Sequence, residues 1–191
     1  PPPFPSRFLA VKGGAYPTRM TGEQQKKTNH WMLDTLALPF APGKTITLMD
    51  CFEAYFKKEE LPAPDRCEKA SCKRVGCRTR VERILVWPKV LCISLKRWLP
   101  TGVPGCFIKE RRHVEVPAKL FNLGTERHSY TLCSASVHEG DAGGGHYITV
   151  FKDAFTGIWR KGDDRYVSAY GEKAPAELLG QAYMLFYEMD D

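Results

Sequence analysis

Gly140-Asp141-Ala142-Gly143-Gly144-Gly145 runs straight into His146-Tyr147-Ile148-Thr149-Val150-Phe151-Lys152. Asp153-Ala154-Phe155-Thr156-Gly157 follows, and then Ile158-Trp159-Arg160-Lys161-Gly162-Asp163-Asp164. The stretch reads as a glycine-rich loop, a strand, a turn and a returning strand. A turn centred between Ala154 and Phe155 sets His146 opposite Asp163 on one face of the hairpin. Directly opposed side chains have Cβ atoms about 4.5–5.5 Å apart. At that separation a carboxylate can hold an imidazole in one tautomer, and the imidazole can act as a general base toward a thiol or hydroxyl. Glycines ahead of His146 let backbone approach a substrate closely. The plainer alternative is a strand histidine followed by an acidic turn, and spacing alone leaves both open. His30, His113, His128 and His138 have neither a glycine loop nor a facing acid, so they are read as structural.

Outward from this hairpin the chain is nearly all strand. β-rich runs are expected at 81–87, 90–98, 113–116, 130–137, 166–169 and 182–188, separated by turn residues at the short intervals of an antiparallel sheet. Pro175 to Leu179 suggests one helical turn. Upstream, Thr47 to Leu61 predicts a helix. Thr47 and Asp50 have capping-box spacing, Leu48, Phe52 and Phe56 form a helical stripe, and Pro62 ends it. Residues 65–80 read as a polar, cysteine-bearing, finger-like loop, and 81–188 as the main sheet. Residues 1–44 are expected to be irregular, apart from a short strand near 30–38, and 45–191 to form the folded unit. The fold class is therefore α+β.

The chain has 191 residues, with 43% apolar and 26% charged, ordinary values for a globular domain with a real core. No run approaches the ~18 apolar residues of a membrane span, and no signal-peptide pattern opens the sequence. It begins at Pro1 and not at a methionine, which reads as a processed product or a fragment of a longer chain. Twenty-eight basic residues against 22 acidic ones give a net charge of +6. The basic clusters are Lys69, Lys73, Arg74, Arg78, Arg80 and Arg83, and Lys109, Arg111, Arg112 and His113. No exposed aromatic interrupts the first, so both are read as solvated faces and not as nucleic-acid surfaces. Seven cysteines at uneven spacing suggest free thiols in a reducing compartment, cytoplasmic or nuclear.

At Gly145-His146-Tyr147, Trp159 and Asp163-Asp164 the sequence resembles the histidine box of the ubiquitin-specific proteases. Leu48-Met49-Asp50-Cys51-Phe52 resembles the helix ahead of that family's fingers. Trp87-Pro88-Lys89-Val90-Leu91 with Leu95-Lys96-Arg97-Trp98 is similar to one of its strands, as is Tyr130-Thr131-Leu132 with Val137-His138-Glu139-Gly140. Ala182 to Tyr187 is similar to its closing strand. The resemblance implies the C-terminal portion of a papain-like fold, an antiparallel palm with fingers and a few helices. It implies His146 as general base, Asp163 as the residue that orients it, and Asp164 as an assisting acid. Gly144, Gly145 and Tyr147 are implied in substrate binding, and the segments 138–145 and 99–109 as mobile blocking loops over a bound ubiquitin tail. The implied activity is thiol-dependent hydrolysis after ubiquitin's last glycine, with ubiquitin and ubiquitinated proteins as partners.

Two departures stand out. Residues 1–50 hold nothing like the family's nucleophile box, so the attacking cysteine is expected on an N-terminal half and this chain is expected to be inactive alone. Cys67, Cys72 and Cys77 lack the paired spacing of a four-ligand zinc site, so no metal or cofactor is expected. Three other readings remain: a catalytically inactive ubiquitin-binding module, a protease using Cys51 near its helix N-terminus, and a basic nucleic-acid binder.

Overall fold

The structure, a computed structural model, describes residues 10–15, 26–29, 45–57, 59–61, 78–84, 87–123 and 127–190. In chain order the elements are β1 (Ala10–Ala15), β2 (Lys26–Asn29), β3 (Ile46–Thr47), α1 (Leu48–Phe56), β4 (Glu59–Leu61), β5 (Arg78–Ile84), β6 (Val90–Ser94) and β7 (Trp98–Pro100). Then come β8 (Phe107–Lys109), β9 (Val114–Glu115), β10 (Lys119–Leu123), β11 (His128–Asp141), β12 (Gly144–Lys152), β13 (Trp159–Asp163), β14 (Tyr166–Gly171), α2 (Ala176–Gly180) and β15 (Ala182–Met189).

Seven strands form the main sheet, in the order β14-β13-β12-β11-β15-β6 with β10 paired to β11. Every pairing in it is antiparallel. Its long strand, β11, buries Tyr130 and Leu132 and then switches parity to bury Ala135 and Val137. The cause is a bulge against β15, where Leu132 faces Tyr187 and Ser134 faces Phe186, leaving Cys133 as the extra residue. One added residue moves every later side chain to the other face. The bulge therefore sets Val137 toward the core and His138 away from it.

Leu48, Cys51 and Phe52 of α1 are buried against a cluster that includes Leu91, Ile93, Val150, Trp159, Leu185 and Tyr187. Two tyrosines pin connecting segments to this core. The hydroxyl of Tyr130 donates to the Pro88 carbonyl at 2.6 Å, and that of Tyr187 to the Pro117 carbonyl at 2.7 Å.

Among the described residues Arg97 is the largest polar group inside, 1% exposed. Its guanidinium donates to the carbonyls of Ala182 (3.1 Å), Gly180 (2.7 Å), Glu110 (3.4 Å) and Arg112. It also interrupts the expected 90–98 strand: β6 ends at Ser94 and β7 begins only at Trp98. A planar fork of donors suits such a buried junction, since each orphaned carbonyl would cost about 1–3 kcal/mol.

The capping box forms as read. The Asp50 amide donates to Thr47 Oγ1 at 3.1 Å, and the Thr47 amide to Asp50 Oδ2 at 2.8 Å. The helix, however, stops at Phe56 and not at Leu61; Lys57 is already extended. Nothing apolar at 57–60 can hold another turn on the core, and Glu59–Leu61 pairs with β5 instead. Ala10–Ala15 and Lys26–Asn29, read as irregular, are strands in a four-stranded sheet with β5 and β4. β1 is held by β5, which is distant in sequence, β2 pairs only with β1, and the local residues carry no alternation to announce either strand. Arg78–Arg80, assigned above to the finger-like loop, belong to β5. The main sheet begins at Val90, because β5 joins the other sheet. The short strand expected near 30–38 and the loop with Cys67, Cys72 and Cys77 lie outside the described residues.

Candidate active site

The β12–β13 hairpin carries the two residues singled out above. Its turn runs from Asp153 to Ile158. Asp153 Oδ1 accepts from the amides of Phe155 (2.9 Å) and Thr156 (3.1 Å), and Gly157 closes the turn at φ +70°. These demands centre the turn between Phe155 and Thr156. Strand partners are therefore Thr149 with Gly162 and Val150 with Lys161, two places from the register expected. Continued one step, that register sets Asp163 opposite Ile148, and His146 becomes its diagonal neighbour.

The pair forms all the same, because strands alternate faces with a period of two and a slip of two preserves the face. His146 Nε2 lies 2.7 Å from Asp163 Oδ1. A carboxylate can only accept here, so Nε2 carries the proton and Nδ1 is the nitrogen left to take another. The hydrogen bond to Asp163 is the largest cause holding the His146 pKa above its ordinary value. Asp163 is held below the carboxylate range, first by His146 and then by Lys161, whose Nζ is 3.3 Å from Oδ2. Both side chains are about two-fifths exposed, 43% and 41%, open to an incoming group.

Asp164 follows in a two-residue turn between Asp163 and its partner Tyr166, at φ +50°. Aspartate is one of the few side chains that tolerates this left-handed conformation. Ligand atoms of His146, Asp163 and Asp164 lie within 4.8 Å of one another.

The glycine-rich segment is a tight hairpin and not an open loop. β11 and β12 stay paired to Asp141–Gly144, leaving a turn of Ala142 and Gly143. Gly145 is sterically required, since a Cβ there would sit 2.3 Å from the Glu139 carbonyl and 2.4 Å from His138 Nε2. Gly140 is required too, at φ +105° with Gly144 O 2.6 Å from its would-be Cβ. Gly144 meets no such crowding. Tyr147 points to the face opposite His146, where it packs on His138 (ring centroids 4.7 Å apart) and Tyr183 (6.0 Å). Beside His138 a groove of about 380 Å³ opens at the end of the sheet, lined by Trp98, Phe107, His138, Asp141, Ala142, Gly144 and Gly145. Gly144 and Gly145 thus line the groove directly, while Tyr147 buttresses His138 behind it.

His138 was read as structural. It is buried between Trp98, edge-on at 5.1 Å, and Tyr147. Sequence gave no hint of this cluster, whose members come from β7, β11, β12 and β15.

Cys51 is fully buried, and burial, then the neighbouring Asp50 carboxylate, push its thiol up to about 11. Its place on the first turn of α1 does not offset that. Cys92 is likewise buried and raised to about 11 by burial. Cys133 is half-buried and raised by the same cause. Among the described cysteines only Cys106 is exposed.

Comparison with solved structures shows which fold this is. The chain superposes on yeast SAGA DUBm containing a mutant Sgf73 with a TM-score of 0.76 and 24% identity, over 96% of this chain and 41% of that one. It matches the Ubp8/Sgf11/Sus1/Sgf73 SAGA DUB module bound to monoubiquitin with a TM-score of 0.75 and 24% identity (96% and 40% covered). The same module bound to ubiquitin aldehyde gives 0.74 and 23% (96% and 41%). At these identities the likeness is one of fold: a mostly antiparallel sheet with few helices, similar to the ubiquitin-specific protease domain. The chain spans about two-fifths of the length of the chains it matches.

Residues 23–187 match the family described as Ubiquitin carboxyl-terminal hydrolase, and the chain belongs to that family. Among the described residues no helix is long and apolar enough to cross a membrane.

Proposed function

We propose that this chain forms part of the catalytic domain of a thiol-dependent deubiquitinase, with His146 as general base and Asp163 as the residue that orients it. The observation carrying this reading is the 2.7 Å bond between Nε2 and Oδ1, which leaves Nδ1 as the nitrogen able to take a proton. A thiol placed at Nδ1 gives up its proton, and the thiolate attacks the carbonyl carbon of ubiquitin's C-terminal glycine, forming a thioester as the C–N bond to the lysine breaks. The imidazolium returns that proton to the departing lysine amine. Water, deprotonated by the same imidazole, then hydrolyses the thioester. Asp163 stays ionised throughout and stabilises the transient imidazolium.

Ubiquitin as ligand is supported by the family and by the matching modules bound to monoubiquitin and ubiquitin aldehyde. The groove beside Gly144 and Gly145 suits a narrow main-chain segment, and Asp164 adds negative charge near His146. The nucleophile belongs to an N-terminal half of the catalytic domain. Supporting this, Cys51 and Cys92 are buried with raised thiols, and Cys106 sits on the loop after β7. A cytoplasmic or nuclear setting fits free cysteines and this substrate.

The test is reconstitution. The chain alone should not cleave a ubiquitin–fluorophore conjugate, and a thiol-bearing N-terminal half added to it should restore cleavage that His146→Ala abolishes. Cleavage that survives His146→Ala rejects the reading. The buried described thiols favour one second reading, a ubiquitin-binding module without catalysis. It would show as ubiquitin affinity with no activity under any reconstitution.

A further inference from the structure

β15 starts at Ala182, whose partner on β11 is Val137. Beyond that point β11 continues to Asp141 with β12 as its neighbour, so 138–147 project as a two-stranded ribbon. An isolated two-stranded hairpin is marginal in water. Here the open edge is taken up by side chains. Lys109, the last residue of β8, donates from Nζ to the carbonyls of His138 and Gly140, the latter at 3.0 Å, and lies 3.3 Å from His138 Nδ1. Arg111 reaches the Gly140 carbonyl at 3.4 Å and pairs with the Asp141 carboxylate. The same Lys109 is the strand partner of Trp98. One ammonium therefore joins the β7–β8 hairpin to the ribbon, and those are the two walls of the groove.

We propose that Lys109, assisted by Arg111, is a positioning residue that fixes the spacing of the two groove walls and thereby the fit for the glycine end of a ubiquitin tail. This rests on the function proposed above. Three facts carry it. Two donor contacts replace the strand that β15 does not supply. The contacts cross between the walls and not within one. Both required glycines, Gly140 and Gly145, lie in the segment the ammonium holds, where an added Cβ would meet the Gly144 carbonyl or His138 and the Glu139 carbonyl. The basic cluster 109–112 is then largely internal wiring: Arg112 is likewise engaged, by Glu110 at 2.7 Å.

Lys109→Met, which keeps the stem and removes the charge, is compared with Lys109→Arg and wild type in two measurements. Hydrogen exchange of the chain without ligand reads the latch. The amides of 139–146 should exchange about tenfold faster or more in Lys109→Met, the scale of one lost charge-assisted hydrogen bond, while those around Leu132 and Leu185 are unchanged. Ubiquitin titration by isothermal calorimetry reads the groove, with affinity falling about tenfold in Lys109→Met and held within about threefold in Lys109→Arg. Unchanged exchange overturns the latch, and faster exchange with unchanged affinity overturns its role in fit. Wild type that binds no ubiquitin even when reconstituted with the N-terminal half sinks the functional reading and with it the role in fit, while the exchange arm still judges the latch.

Discussion

Asp163 divides its carboxylate between two donors, with His146 Nε2 at 2.7 Å from Oδ1 and Lys161 Nζ at 3.3 Å from Oδ2. Both hold its pKa low, and the ionised carboxylate in turn raises that of His146. A raised histidine pKa favours the folded state below the ordinary imidazole range, and that contribution is lost as pH rises through the folded value. A general base works only when neutral, so the acid limb of kcat/KM in the reconstituted enzyme should lie above the ordinary histidine range. Asp163→Asn should move it down in pH and lower kcat by about two to four orders of magnitude. NMR titration of the His146 ring protons in both proteins checks the shift, and an unmoved titration would refute the coupling.

Cys51 should be inert. In the folded chain, iodoacetamide near pH 8 should label Cys106 and leave Cys51 and Cys92 unmodified, as read by peptide mass spectrometry. Cys51→Ala should leave reconstituted activity unchanged, and Cys51→Ser should cost about 1–3 kcal/mol by burying a hydroxyl. Loss of activity in Cys51→Ala without loss of stability would revive Cys51 as the nucleophile.

Two glycines two residues apart, Gly143 and Gly145, make a controlled pair. Gly145→Ala must force backbone apart at the Glu139 carbonyl, which should destabilise by about 1–3 kcal/mol and abolish ubiquitin binding. Gly143, in the turn with nothing within 4 Å of its would-be Cβ, should accept alanine within about 0.5 kcal/mol. Thermal melts and ubiquitin titration of the two variants decide it.

Arg97→Met leaves four backbone carbonyls without their donor. A cost of about 3 kcal/mol or more is expected, a fall in Tm of roughly 6–12 °C. Arg97→Lys should recover less than half, because one ammonium cannot serve acceptors spread over residues 110, 112, 180 and 182. Calorimetry that finds Lys equal to Arg would show that charge and not the fork matters.

What the sequence determined by itself was local. Alternation and turn residues located β11 to β15, Thr47 and Asp50 announced the start of α1, and the hairpin brought His146 and Asp163 to one face. That last inference survived a wrong register, because an error of two leaves strand parity untouched. Tertiary structure decided everything that depends on partners far apart in the chain. The bulge at Cys133 exists only against β15, and it chooses which of Val137 and His138 meets the core. Ala10–Ala15 is a strand because β5 lies beside it. Cys51 changes from a candidate nucleophile to an inert thiol because of what buries it. Lys109 and Arg97 look like ordinary surface cations until the carbonyls of 138–140 and 180–182 are brought to them. Periodicity is written in neighbouring residues, whereas burial, charge pairing and groove width arise only when distant segments meet.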